Sequence, residues 1–200
     1  MPLPTPDFAM IFETLVTTVA ADGRVHCAPM GARYASDGVV LMPFKPSATL
    51  ANILASRSAV LNLSTDVRIF AGCVTGRRDW PTRPTERIEG RRLEAALAHI
   101  ELQLLRCEDD PQRPALHLAR VLERTHAPFP GFNRAQAAVI EGAVLVSRLR
   151  LLPAAKVDDE MAYLQIAVDK TAGPAEREAW QWLIDAVANF RALAAGRAAA

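Results

Sequence analysis

The sequence predicts an α+β chain, mainly β in its first part: a small barrel over residues 1–130 followed by a helical bundle over 131–200. Three observations carry this. Composition changes near residue 130. Before it, short apolar runs are interrupted by Gly, Pro, Asp and Ser, as in Ala21-Asp22-Gly23 and Ser36-Asp37-Gly38. After it, apolar residues recur at helical spacing. Two hundred residues suit one large domain or a main domain with a smaller companion.

The elements follow in order. Met10 to Val19 is rich in β-branched and aromatic residues and reads as a strand. Asp22-Gly23 is a turn signal, and Arg24 to Ala28 resumes an extended pattern, so a hairpin is predicted. Asp37-Gly38 precedes a short strand over Val39 to Met42. Ser47 caps a helix from Ala48 to Ser56 with Leu50, Ile53 and Leu54 on one face. Ala59 to Leu63 is a buried strand, and Asp66 caps a helix running to Gly76. Between Leu93 and Cys107, both a two-residue alternation and a helical stripe fit. The strand is preferred, because the preceding pattern already needs a sheet to close. Leu116, Leu118, Arg120 and Leu122 form its antiparallel partner beyond Asp109-Asp110-Pro111. These strands make a small barrel. Asn133 with Gln136 has the spacing of a capping box, and Pro153 and Pro174 stand where first helical turns tolerate proline. Val157, Met161, Leu164 and Val168 stripe one helix; Trp180, Leu183, Ile184, Val187 and Phe190 stripe another. The Ala-rich end from Ala192 is expected to fray.

Composition excludes several classes. Half the residues are hydrophobic and 22% charged, which is not a disordered chain. With 23 basic and 22 acidic residues, net charge +1, overall charge does not drive binding to nucleic acid or an anionic membrane. Cys27, Cys73 and Cys107 have neither disulfide-framework nor zinc spacing, and no metal site is expected. The first ten residues lack the basic and apolar regions of a secretory leader, and no apolar stretch reaches the length of a membrane span, so the cytoplasm is expected. GxSxG, phosphate-loop, GxGxxG and HExxH motifs are missing. His99 and His117 could meet across paired strands, though such histidines are usually locally hydrogen-bonded; adjacent His26 and Cys27 point to opposite strand faces and make no dyad.

One stretch carries chemistry. Ala28, Pro29, Met30 and Gly31 include small or restricted side chains that let a flat ligand approach the backbone. Ser47 and Thr49 fall at a helix start, where free N–H groups and the helix dipole favour phosphate, and Lys45 stands just before them. Asn62 puts an amide into a strand of Val and Leu, and a buried amide needs a partner. Each feature also reads as a turn, an ordinary N-cap or a loop-fixing asparagine.

The order APMG, PFKPSATLANI, VLNLSTDVRIFA, with GFNRAQAAVIEGAVLVSRLRLL later, resembles a family of archaeal and bacterial proteins known as domain of unknown function 447. The resemblance runs from Met10 to Phe190. It implies an FMN-binding split barrel with a helical addition, FMN near a homodimer interface, and a place beside tetrahydromethanopterin-linked one-carbon metabolism. The implied activity is flavin-dependent oxidoreduction on a pterin or nicotinamide substrate, with a non-catalytic flavin carrier, sensor or assembly factor as the alternative. Position by position, the resemblance lays Ala28, Pro29, Met30 and Gly31 along the isoalloxazine. It sets Ser47 and Thr49 at the flavin phosphate, treats Asn52 as structural, and brings Asn62, Ser64 and Thr65 to the strand end near the cofactor.

Arg77, Arg78, Arg83, Arg87, Arg91 and Arg92 form a basic loop with Asp79, Glu86 and Glu89 interspersed. It reads as a solvated surface with scattered ion pairs. The sharper alternative directs Arg77 or Arg78 at an anionic substrate or at the partner subunit's flavin phosphate.

Overall fold

A computed structural model describes residues 10–36 and 38–198; Asp37 of the predicted turn and the first nine residues lie outside it. The chain divides into two compact units, residues 1–64 with 79–129, and residues 65–78 with 130–200. The short helix after Thr65, placed with the barrel by the sequence reading, clusters with the C-terminal helices instead.

The first unit is a closed antiparallel barrel in the order β1-β2-β3-β8-β7-β4. Its strands are β1 (Ile11–Val19), β2 (Val25–Ala35), β3 (Gly38–Leu41), β4 (Ser58–Leu63), β7 (Ala98–Glu108) and β8 (Ala115–Thr125). In the ambiguous 93–107 segment residues 98–107 are strand, after a turn over 94–97, and β8 is their antiparallel partner as expected. Barrel closure decided the matter. β7 pairs β4 on one side (Leu61↔Ile100) and β8 on the other (Leu104↔Leu118), and a helix could complete neither ladder. At Gly38 a Cβ would stand 1.9 Å from the Leu118 carbonyl oxygen, so the β3–β8 contact requires glycine. Helix α1 (Ala48–Ser56) begins at Ser47, whose Oγ accepts from Leu50 N at 3.3 Å. Its buried face, Thr49, Leu50, Asn52 and Ile53, fits the helical period. Leu50 and Ile53 join Val16, Leu41, Leu61, Leu102 and Leu116 in one aliphatic core. Leu54, expected on that face, is exposed.

Strand alternation turns a second set of residues away from that core. Thr17, Asn62, His99 and Glu101 lie on this other face and are all buried. Thr17, Asn62 and Glu101 hold a long excursion between Asp79 and Leu97 that carries two short strands absent from the sequence reading, β5 (Thr82–Pro84) and β6 (Arg91–Leu93).

The second unit comprises α2 (Arg68–Val74), α3 (Arg134–Ser147), α4 (Ala154–Thr171) and α5 (Pro174–Ala198). Asp66 receives Arg68 N at 3.2 Å and pairs with the Arg68 guanidinium at 2.7 Å. Asn133 Oδ1 accepts from Ala135 N and Gln136 N at 2.8 and 3.2 Å. The box is not reciprocal, because the Gln136 amide donates to Glu176 instead. Val139, Ala143, Val157, Met161, Trp180 and Leu183 share the core, which is what the predicted stripes require. The Ala-rich run expected to fray continues α5 to Ala198. Among the described residues, no helix is long and apolar enough to cross a membrane.

Candidate functional site

The predicted residues divide by what holds them. Ala28, Pro29, Met30 and Gly31 lie in the middle of β2, opposite Val16, Leu15, Thr14 and Glu13 of β1, and all four are half-buried. The Met30 carbonyl accepts the Thr14 hydroxyl at 2.7 Å. A Cβ on Gly31 would come within 2.6 Å of Ile11 Cγ2, so the bare backbone there accommodates the chain's own β1 side chain.

The start of α1 carries the second group of predicted residues. The first N–H groups of a helix have no intrahelical acceptor, which at α1 means Ala48 and Thr49, beside the half-buried Ser47 hydroxyl. Thr49 shares the buried face of α1 and is 1% exposed, main chain included. The preceding Lys45–Pro46 peptide is cis. Lys45 pairs with Asp109 and holds that carboxyl below its ordinary range. This pair is solvent-exposed, worth little, and readily exchanged for another anion. The Ser47 hydroxyl and the first main-chain N–H groups of α1 are donors of the kind a phosphate takes, while the Lys45 ammonium is held on Asp109.

Asn62 does not join them. Its Nδ2 donates to Leu15 O, Thr17 Oγ1 and Val60 O at 3.0–3.2 Å, and its Oδ1 accepts Leu93 N at 2.7 Å. The partner this buried amide was expected to need is a loop: it ties β1 and β4 to β6. Ser64 Oγ donates to Ala95 O at 2.9 Å on the same excursion, and Thr65 opens the second unit. Asn52 Nδ2 donates to Thr18 Oγ1 at 2.9 Å and fastens α1 to β1.

Sequence reasoning missed the group that organises the excursion. Glu101, fully buried, accepts the N–H groups of Glu86, Arg87 and Ile88 at 2.6, 2.8 and 3.0 Å. Burial pushes its carboxyl up, but these three donors and His99 outweigh it and hold it below the usual carboxylate range. His99 meets Glu101 at 3.4 Å through Nε2 and stacks on His126, Nδ1 to Nε2 2.9 Å. Burial and nearby Arg92 lower the His126 pKa. His99 and His117 do not meet, since their cross-strand partners are Arg124 and Arg106. One signal was available: a Glu on the polar side of a strand with a long excursion directly before it. Ion pairs also occupy the basic loop, Arg83 with Glu94 at 2.7 Å and Arg124 with Glu86 at 3.3 Å. Arg77 lies over the Trp182 ring within the helical unit.

Comparison with known proteins identifies the family. Residues 12–127 match the one described as "Protein of unknown function (DUF447) N-terminal domain", and residues 133–185 match "Protein of unknown function (DUF447)". The chain belongs to the DUF447 family. Among solved structures, an FMN-bound DUF447 protein from Methanosarcina mazei superposes with TM-score 0.78 at 20% identity, over 89% of this chain and 95% of that one. A 2-nitrobenzoate 2-nitroreductase from Pseudomonas fluorescens superposes with TM-score 0.51 at 21% identity, over 61% and 68%. An FMN-binding protein from Thermus thermophilus, with bound p-hydroxybenzaldehyde, gives 0.50 at 15% identity, over 63% and 79%. The barrel of this DUF447 chain is thus the split barrel of flavin reductase-like folds. No curated protein matches the sequence.

Proposed function

We propose that this DUF447 chain binds FMN at the α1 N-terminus and along β2, and works as a flavin-dependent oxidoreductase in a homodimer. The observation that carries the reading is that the FMN-bound family member matches 89% of this chain. The donor set supports it. Ser47, the main-chain N–H groups of Ala48 and Thr49, and Lys45 would hold the phosphate, and the half-buried backbone of Ala28 to Gly31 would form a wall for the ring. Bound FMN supplies hydride transfer, while the protein supplies position and electrostatics. A pterin of one-carbon metabolism as substrate, with a nicotinamide as electron donor, rests on the sequence resemblance.

The test is an absorption spectrum of the freshly purified or FMN-reconstituted protein, followed by anaerobic titration with NADH or NADPH and reoxidation by an oxidised pterin. Flavin bands, bleaching by the nicotinamide and recovery with the pterin are expected. Bound flavin that neither nicotinamide reduces would assign a non-catalytic carrier, and absence of any flavin binding would overturn the reading. Sedimentation should give twice the chain mass.

A further inference from the structure

A cavity of about 680 Å3 opens at the opposite end of α1 from the proposed phosphate site. Its walls come from the β1–β2 turn, the last residues of α1 and the β5–β6 hairpin. The volume is that of a metabolite pocket. Val19, Ala20, Ala21, Val25 and Ala55 make an aliphatic wall without an aromatic ring, so it is shaped for a slim saturated body and not for a stacked base or flavin.

Charge is distributed unevenly around this wall. Arg91 is half-buried on β6, and Thr82 fixes its guanidinium by accepting from Nε through Oγ1 and from Nη2 through its carbonyl, both at 3.1 Å. The Arg91 carbonyl accepts the Thr17 hydroxyl at 2.5 Å, which pins the main chain as well. Two of five guanidinium donors are thereby used for positioning, and an arginine so held recognises a carboxylate with little loss of freedom. The cavity is also lined by Glu89, which is exposed, and by the C-terminal end of α1 at Ala55 and Ser56, whose carbonyls carry partial negative charge. Ser58 Oγ donates to the Glu89 carbonyl at 3.1 Å and fixes the rim. A ligand with one charge would leave the opposite charge of the cavity unanswered.

We propose that this cavity binds a small zwitterion, an amino-acid-like molecule with an aliphatic body, its carboxylate on Arg91 and its ammonium between Glu89 and the α1 C-terminus. The site is separate from the flavin site and does not depend on it.

The test is isothermal titration calorimetry of the full-length protein with L-norleucine, hexanoate and pentylamine at one ionic strength. These probes share the aliphatic chain and differ in charge. L-Norleucine should give saturable heat, with both singly charged analogues at least about tenfold weaker. Arg91→Gln should weaken L-norleucine about tenfold or more and leave pentylamine unchanged, whereas Glu89→Gln should weaken L-norleucine and leave hexanoate unchanged. Because Arg91 also holds Thr82, Glu89→Gln at the exposed rim keeps the test decisive if the arginine variant does not fold. Ala55→Phe, which fills the cavity, should abolish binding. No saturable heat with L-norleucine, analogues that bind as tightly, or a Glu89→Gln protein with unchanged affinity would each overturn the proposal.

Discussion

The two faces of β4 and β7 are equally dry and chemically opposite. On one, Ala59, Leu61, Ile100, Leu102 and Leu104 pack into the aliphatic core with α1. On the other, Asn62, His99 and Glu101 are also buried, yet they are polar, and each is answered by hydrogen bonds. The inner face is held by contact area, which is non-directional and tolerant of small shifts. The outer face is held by direction. Glu101 and Asn62 together receive four main-chain N–H groups from the 79–97 excursion. Buried polar groups on this sheet act as fasteners for a segment that brings few large apolar side chains of its own, and that segment carries one wall of the cavity.

Substitutions on the two faces test this difference. Glu101→Leu should have the largest effect, because three main-chain donors lose their acceptor inside the protein. A loss of about 4 kcal/mol in urea unfolding is expected, together with rapid amide exchange at residues 86–88. Exchange there as slow as in the parent would remove Glu101 from its role. On the inner face, Leu61→Ala should cost about 3 kcal/mol by cavity formation, without selective loosening of the excursion. Asn62→Leu should cost about 2 kcal/mol and speed exchange at Leu93, whose N–H it would orphan. At the start of α1, Ser47→Ala should cost about 1 kcal/mol through loss of the cap and, on the proposed phosphate site, weaken FMN about tenfold, read by fluorescence titration.

The smallest expected effect is a pH dependence confined to the outer face. The folded-state pKa values of both His126 and Glu101 lie below their unfolded values. Their contributions are therefore complete above the unfolded values, about 6.5 and 4.3, and fade as pH falls through the folded ones. The unfolding midpoint should decline first below about pH 6.5 and again below about pH 4.3. His126→Gln should erase the first step alone. A midpoint flat from pH 8 to pH 5 in the parent would contradict the role given to His126.

Most of the fold was legible because its signals are local. Ser47 does cap α1 and Asn133 does cap α3, whereas the alternation of Ile100, Leu102 and Leu104 against His99, Glu101 and Gln103 marked a strand only together with the sheet's need to close. Asn62 was recognised as needing a partner, but the partner, Leu93 N, is 31 residues away and no local pattern points to it. β5, β6 and the Glu101 clasp were not seen, because their residues look like any charged surface until the excursion folds back over the sheet.

What the amino-acid order settled by itself was the order of the barrel strands and helices apart from β5 and β6, and most of their aliphatic faces, since strand and helix periods are written in neighbouring side chains. The tertiary structure alone decided which buried polar group answers which main-chain donor, that α2 clusters with the distant helices, and that Arg91, Glu89 and the end of α1 surround one cavity. Those pairings join residues far apart in the chain, and their free energy exists only once closure of the barrel has excluded water from both faces of the sheet.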